Sequence, residues 1–357
     1  MMKRRTFLAG ASALAAPLPL RASSDPLKVG FLYQAPRDDK GWTERHELAR
    51  VDLQQHFGDR ISTTFVENIS EGPDAERVIR QLAQQGHQLI FTTSFSFMNP
   101  TVKVARQFPN VQFENCTGYQ RADNLATYAA RYYEGRHVMG TLAGLMTETG
   151  TIGYVASFPI PGVLRGINAA YLAAKRVNPD VKMRVVWINT WFDPGKEADA
   201  ATALIQQGAD MIMQHVNSPA PIRVAEENGV SAFGNAVDMS EFGKTATLTS
   251  MMFNWAPYYI QRVQQVLDGS WSSGDTWAGI GPGMVTLAPL NDRVPAEVRD
   301  RVDAEMSSLS QGTFHPFAGP LNRQDGSPWK SEGQTPSDEE LYGMDFYVEG
   351  IEGSLPT

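Results

Sequence analysis

The chain has 357 residues, 42% of them hydrophobic and 20% charged, enough for a large core and two domains. Its net charge of −8 argues against nucleic acid as a partner, because phosphate binding needs a basic face. The single cysteine, Cys116, excludes an intrachain disulfide and a cysteine-based metal or cluster site.

Residues 1–24 read as an export signal, with a basic start, a modest apolar stretch and then small residues. Phe7–Leu20 is too short to span a bilayer and carries two prolines. Arg4-Arg5, followed by Thr6-Phe7-Leu8, resembles the twin-arginine signal; an ordinary Sec signal is the alternative. Cleavage is expected near Ala22–Ser24, and no cysteine there could take a lipid anchor. No later segment is long and apolar enough to span a membrane. The mature chain is therefore expected to be soluble and periplasmic.

The elements that follow form a repeat. VGFLY (29–33) reads as a buried strand, followed by a helix over 44–57, a strand over 61–66, a helix over 74–85 and a strand over 89–93. The frame returns with IGYVAS (152–157), a helix over 162–177, a strand over 183–188, a helix over 197–207 and a strand over 211–215. Gly30 pairs with Gly153, Asn68 with Asn189 and Gly86 with Gly208. Residues 111–116 and 126–133 finish the first unit, a helix over 134–148 carries the chain across, and 231–236 ends the second unit's core run. Residues 247–269 read as a helix returning to the first unit, and 283–290 crosses again. Alternating strands and helices of these lengths predict an α/β fold of two similar doubly wound parallel-sheet lobes joined by a hinge. The expected lobes are 25–134 with 244–284, and 135–243 with 285–357. The tail from about Leu309 reads as a loop-rich surface strap.

In doubly wound sheets ligands bind outside the carboxyl ends of the strands. The candidate binding residues are therefore those that follow each strand: Asp39 and Trp42; Asn68; Ser94 and Phe95; Phe158; Asn189, Trp191 and Asp193; His215 and Asn217; Asn235 and Asp238. The set is rich in flat rings and neutral hydrogen-bonding groups and poor in cations. Trp42 and Trp191 fall in corresponding loops of opposing lobes, where two rings could clamp a planar ligand by stacking. No G-x-S-x-G or H-E-x-x-H motif occurs, so no catalytic residue, metal or cofactor is expected. Helix capping is the plain alternative for Asp39, and packing the plain alternative for His46.

The frames DDKGWTERH, FPNVQFENCTGY, RYYEGRHVMGTLAGLMTETGTIGYVAS and INTWFDPGKEADAA, in this order, resemble the basic-membrane-protein family over nearly the whole mature chain. Its members are substrate-binding proteins of ABC importers with the type I periplasmic-binding fold, and those characterised mostly bind purine nucleosides or related bases. The resemblance implies a stacking ring at Trp42 and a second at Trp191, followed by Asp193. The family's aspartate for ribose hydroxyls falls on Ala236, within Gly234-Asn235-Ala236-Val237-Asp238. A lysine expected shortly after Leu-Thr-Ser is missing. Partners implied are a small molecule, a purine base or nucleoside, and an ABC permease with its ATPase. The membrane is met only through the permease, and the binding protein acts as a monomer. Another aromatic or sugar-like solute is the alternative ligand, and an exported enzyme the alternative class.

Overall fold

A computed structural model describes residues 25–356; the signal and cleavage readings at 1–24 lie outside the described residues. The first half runs β1 (Leu27–Leu32), α1 (Trp42–Phe57), β2 (Ile61–Val66), α2 (Pro73–Gln84), β3 (Leu89–Thr92), α3 (Met98–Ala105), β4 (Gln112–Cys116) and β5 (Leu125–Ala130). After α4 (Tyr132–Met146) the second half repeats it with β6 (Thr151–Ala156), α5 (Pro161–Val177), β7 (Lys182–Trp187), α6 (Pro194–Gln206), β8 (Met211–His215), α7 (Ala220–Glu227), β9 (Ser231–Ala236) and β10 (Thr247–Phe253). Then come α8 (Ala256–Asp268), β11 (Asp275–Ala278), β12 (Val285–Leu287), α9 (Ala296–Ser310), a short hairpin of β13 (Leu321–Asn322) and β14 (Pro328–Lys330), and α10 (Asp338–Tyr342).

Two sheets of six strands result, in the orders β11-β5-β4-β3-β1-β2 and β12-β10-β9-β8-β6-β7. Apart from β12, which runs antiparallel to β10, every strand of both is parallel to its neighbours. The central strands are buried on both faces and read as apolar runs, as parallel strands must. The paired glycines have a packing reason. A Cβ at Gly153 would lie 2.9 Å from Leu204 Cβ, and one at Gly30 would lie 3.2 Å from Leu82 Cδ1. Each glycine therefore lets a helix, α6 or α2, settle on its sheet. Asn68 and Asn189 both take positive φ, 59° and 52°, which Asn tolerates better than most residues.

Two expectations need correction. Residues 247–253 form β10, a strand of the second sheet, and only 256–268 are helical, packed on α1 of the first lobe. The chain thus leaves the second sheet after Phe253, not at residue 244. The tail is also more than a surface strap. Phe317, Leu341 and Met344 are fully buried in one cluster with Tyr133 and Ala169.

Candidate functional site

Each sheet changes winding direction beside its first strand, between β1 and β3 in one lobe and between β6 and β8 in the other. Crevices open at such points, outside the carboxyl ends of the strands. Facing each other, they enclose a cavity of about 540 Å³. The first lobe gives it Gln34 after β1, Ser94 and Phe95 after β3, and Trp42 at the start of α1. The second gives it Ile160 to Val163 at the start of α5, Arg165, Trp191, His215, Asn217 and Asn235.

Trp42 is held firmly. Its indole N–H donates to the Thr93 carbonyl at 2.7 Å, and Phe253, Trp255, His46 and Tyr132 meet its ring edge-on. His46 is fully buried, stacked on Trp255, and within 2.6 Å of the Tyr259 hydroxyl. Burial pushes its pKa well down, so it is neutral and serves to pack Trp42. Trp191 leans on Phe158 with ring centres 5.2 Å apart, and its N–H reaches Ser96 Oγ of the other lobe at 3.4 Å. The loop carrying Asn217 is fixed by Glu197 of α6, whose carboxylate accepts from the Ser218 N–H and hydroxyl.

Three cavity-lining side chains have a buried polar atom without a protein partner among the described residues: Tyr132 Oη, His215 Nδ1 and Asn217 Nδ2. Burial, with Arg136 and Arg165 nearby, drives the His215 pKa well down, so its neutral ring offers one donor and one acceptor.

The expectation of a cation-poor site is corrected. Arg165 lines the cavity, and burial pushes its pKa down to about 10, which leaves it charged at neutral pH. Arg136 is fully buried and donates to Asn235 Oδ1 at 2.8 Å, while its Nε and second amino group have no partner among the described residues. Neither guanidinium has a carboxylate within ion-pair distance among the described residues. The N-terminus of α5 adds its partial positive charge at the same wall.

Of the residues picked from sequence, Trp42, Ser94, Phe95, Trp191, His215, Asn217 and Asn235 line this cavity together. Asn68, Phe158 and Asn189 line a neighbouring pocket of about 380 Å³ that shares Gln34 and Trp191. The three aspartates line neither. Asp39 is buried beneath the start of α1, accepting from the N–H groups of Gly41, Thr43 and Glu44; burial pushes its pKa up to about 6. Asp193 caps α6 by accepting from the Lys196 N–H. Asp238 is exposed and accepts from the Ser240 N–H. Sequence reading did not place Tyr119, Tyr132, Arg165, Phe253 or Tyr342 at the cavity. Arg165 sits in a helix with apolar spacing, which suggests only a packed face, and Tyr132, the first residue of α4, falls in the run 126–133 that reads as the end of the first unit. Tyr342 lies in a tail without periodicity.

With this geometry in view, the chain matches a family model over residues 27–313, that of PnrA-like substrate-binding proteins of ABC transporters. It is 48% identical over 334 residues to a purine-binding protein of Brucella abortus, covering 94% of this chain and 95% of that one. It is 35% identical over 337 residues to a Haloferax volcanii protein provisionally named an ABC-transporter glucose-binding protein, covering 94% and 83%. A solved ABC-transporter solute-binding protein of Aeropyrum pernix superposes with a TM-score of 0.71 at 17% identity, over 89% of this chain and 96% of that one, a likeness of fold.

Proposed function

This chain belongs to the PnrA-like family of ABC-transporter substrate-binding proteins, and from that premise we propose that it captures a free purine base in the periplasm and presents it to a permease. Family members bind a small molecule outside the cytoplasm for an ABC transporter, and no helix among the described residues is long and apolar enough to cross a membrane. The Brucella abortus relative, named for purine binding, supports the ligand class. In this reading residues 1–24 are the export signal, the mature protein is a soluble monomer without a lipid anchor, and no reaction is catalysed.

The observation that carries the choice of base over nucleoside is the absence of any carboxylate among the described residues lining the cavity. A ribose presents adjacent hydroxyls, and a buried carboxylate accepting both would hold it with hydrogen bonds of roughly 1.5–3 kcal/mol each. Ala236 occupies the position where the family's aspartate falls, and Asp238 is engaged at the surface. Each sugar hydroxyl buried without a partner costs about 1–3 kcal/mol. The heterocycle suits the site better. Its faces can stack on Trp42 and Trp191, and its ring nitrogens can accept from Asn217 Nδ2 and the Arg165 guanidinium. A monosaccharide, suggested by the Haloferax volcanii relative, also has many hydroxyls to satisfy and meets the same shortage of carboxylates.

Calorimetric titration of adenine against adenosine, and of hypoxanthine against inosine, with glucose as a third arm, tests the reading. The bases are expected to bind at least tenfold more tightly. Nucleosides binding tenfold better than bases would overturn it, and saturable glucose binding alone would move the ligand class to sugars.

A further inference from the structure

Behind the second-lobe wall of the cavity, three polar side chains gather over one glycine. They are Arg136 on α4, Tyr154 on β6 and His215 at the end of β8. A Cβ on Gly166 of α5 would lie 3.3 Å from Arg136 Cγ, 3.3 Å from the Tyr154 hydroxyl and 3.7 Å from His215 Nδ1. The Arg136 guanidinium carbon is 5.7 Å from the centre of the Tyr154 ring. Arg136 and Tyr154 are fully buried. Arg136 Nε and Nη1, Tyr154 Oη and His215 Nδ1 are all buried atoms without a hydrogen-bond partner among the described residues.

The chemistry of the three groups sets a direction. A guanidinium can only donate, and it stays charged. Burial raises the Tyr154 pKa, so its hydroxyl keeps its proton and can accept as well as donate. The His215 ring is neutral, because burial and then Arg136 and Arg165 push its pKa well down. A proton on Nδ1 would point into a cluster headed by an unpaired cation. A lone pair on Nδ1 can instead accept, from Tyr154 or from Arg136. The single proton of the ring then sits on Nε2, on the ring edge that lines the cavity. Asn235 obeys the same field: its Oδ1 is turned to accept from Arg136 at 2.8 Å, while its Nδ2 donates to the Val216 carbonyl at 3.1 Å.

We propose that Arg136 is a positioning residue for ligand recognition: a fixed donor behind the wall, it holds His215 in the Nε2–H tautomer, so the bound base turns an acceptor, a ring nitrogen or an oxo group, toward His215. For the ligand this rests on the base reading above. The tautomer follows from the cluster whichever ligand enters.

Two measurements on the full chain test it. Long-range proton–nitrogen NMR of protein labelled in its histidine rings reads the tautomer, with His215→Phe identifying the signals. Wild type is expected to show the Nε2–H form with and without adenine. Arg136→Met removes the donor and should bring in the Nδ1–H form, whereas Arg136→Lys keeps a donating cation and should restore Nε2–H. Arg136→Gln, which can accept from Nδ1–H, replaces the methionine variant if that fails to fold, with the same expectation. An Nδ1–H ring in wild type, or a pure Nε2–H ring once the cation is gone, overturns the role of Arg136.

Calorimetry then compares adenine with the deazaadenines that each replace one ring nitrogen by C–H. In wild type one of them is expected to lose about tenfold in affinity or more, the cost of leaving the buried Nε2–H unpaired. That penalty should shrink to about threefold or less in His215→Phe, where no donor is left to orphan, and should also shrink in Arg136→Met. A merely structural role for Arg136 would weaken adenine and every analogue alike and leave the penalties fixed. Penalties that His215→Phe does not change would show that no acceptor of the base meets His215, and overturn the ligand half of the proposal. Nucleosides binding better than bases would overturn the base reading alone, and the same analogues as ribosides would then carry the same expectations. A chain that bound no purine would overturn the base reading and the ligand half together, and the spectrum would still decide the tautomer.

Discussion

Trp42 donates to the Thr93 carbonyl while four aromatic neighbours meet its ring edge-on, so the ring plane is set before any ligand arrives. A ligand stacking there would spend little on ordering the side chain, which is the advantage of preorganisation. Asp39 serves the same end from below, because its carboxylate ties three N–H groups at the start of the helix that carries Trp42. Trp42→Ala and Trp191→Ala are each expected to weaken base binding by about 1–3 kcal/mol, the range for removing one stacked ring. Intrinsic fluorescence of the wild type should change on binding, and each single variant should lose part of that change. A double variant that still bound as tightly as wild type would refute the clamp.

At the scale of elements, the repeat made most of the fold legible, because two copies of one strand–helix frame specify two like sheets whatever the loops do. The same reasoning found the strand-end residues, since Trp42, Ser94, Trp191, His215 and Asn217 all sit where such sheets open. From sequence β10 reads as helix because TLTSMMF runs without a gap into an apolar helical stretch. The available signal was Pro257, which favours a helix's first turn over its interior and so marks a helix beginning there. Arg165 and Tyr342 were out of reach for another reason: their place depends on the tail folding back on α5, a long-range contact with no local pattern. That tail should report on pH. His315 accepts from the Phe317 N–H through Nδ1 and packs on Tyr133 and Phe317. Burial, reinforced by Arg131, pushes its pKa from 6.5 down to about 4. The unfolded chain therefore takes up a proton first, so this contribution is complete above pH 6.5 and is lost as pH falls toward 4. His46, His137 and His215 shift the same way, whereas Asp39, raised to about 6, opposes them. In His315→Gln the fall in Tm between pH 7 and pH 5 should be smaller than in wild type, and an equal fall in both would remove His315 from the account.

For the whole molecule, the decisive contact is between lobes. Gly41, just before α1, lies against Asn217 of the second lobe: a Cβ there would stand 2.0 Å from the Asn217 carbonyl oxygen and 2.9 Å from its carbon. Real Cβ atoms do not approach backbone so closely, so any side chain at this position must hold the lobes apart. Asn217 lines the cavity and its N–H donates to the Trp191 carbonyl at 3.0 Å, while Gly41 immediately precedes Trp42, which also lines it. If a ligand is trapped by hinge closure, this is where closure is completed, and glycine is required by the approach of two backbones, not by its own φ of −156°. Separating the lobes removes the clash, so Gly41→Ala should leave the ligand-free Tm close to that of wild type. Its effect should appear on binding. Wild type with saturating adenine is expected to shrink in small-angle scattering and to rise in Tm by mass action. Gly41→Ala should shrink less, bind at least tenfold more weakly, and show most of that loss as faster release, because a cleft that cannot close cannot hold what it has stacked. Full compaction of the alanine variant at wild-type affinity would mean that Gly41 and Asn217 need not meet for the ligand to be held, and that closure is completed elsewhere.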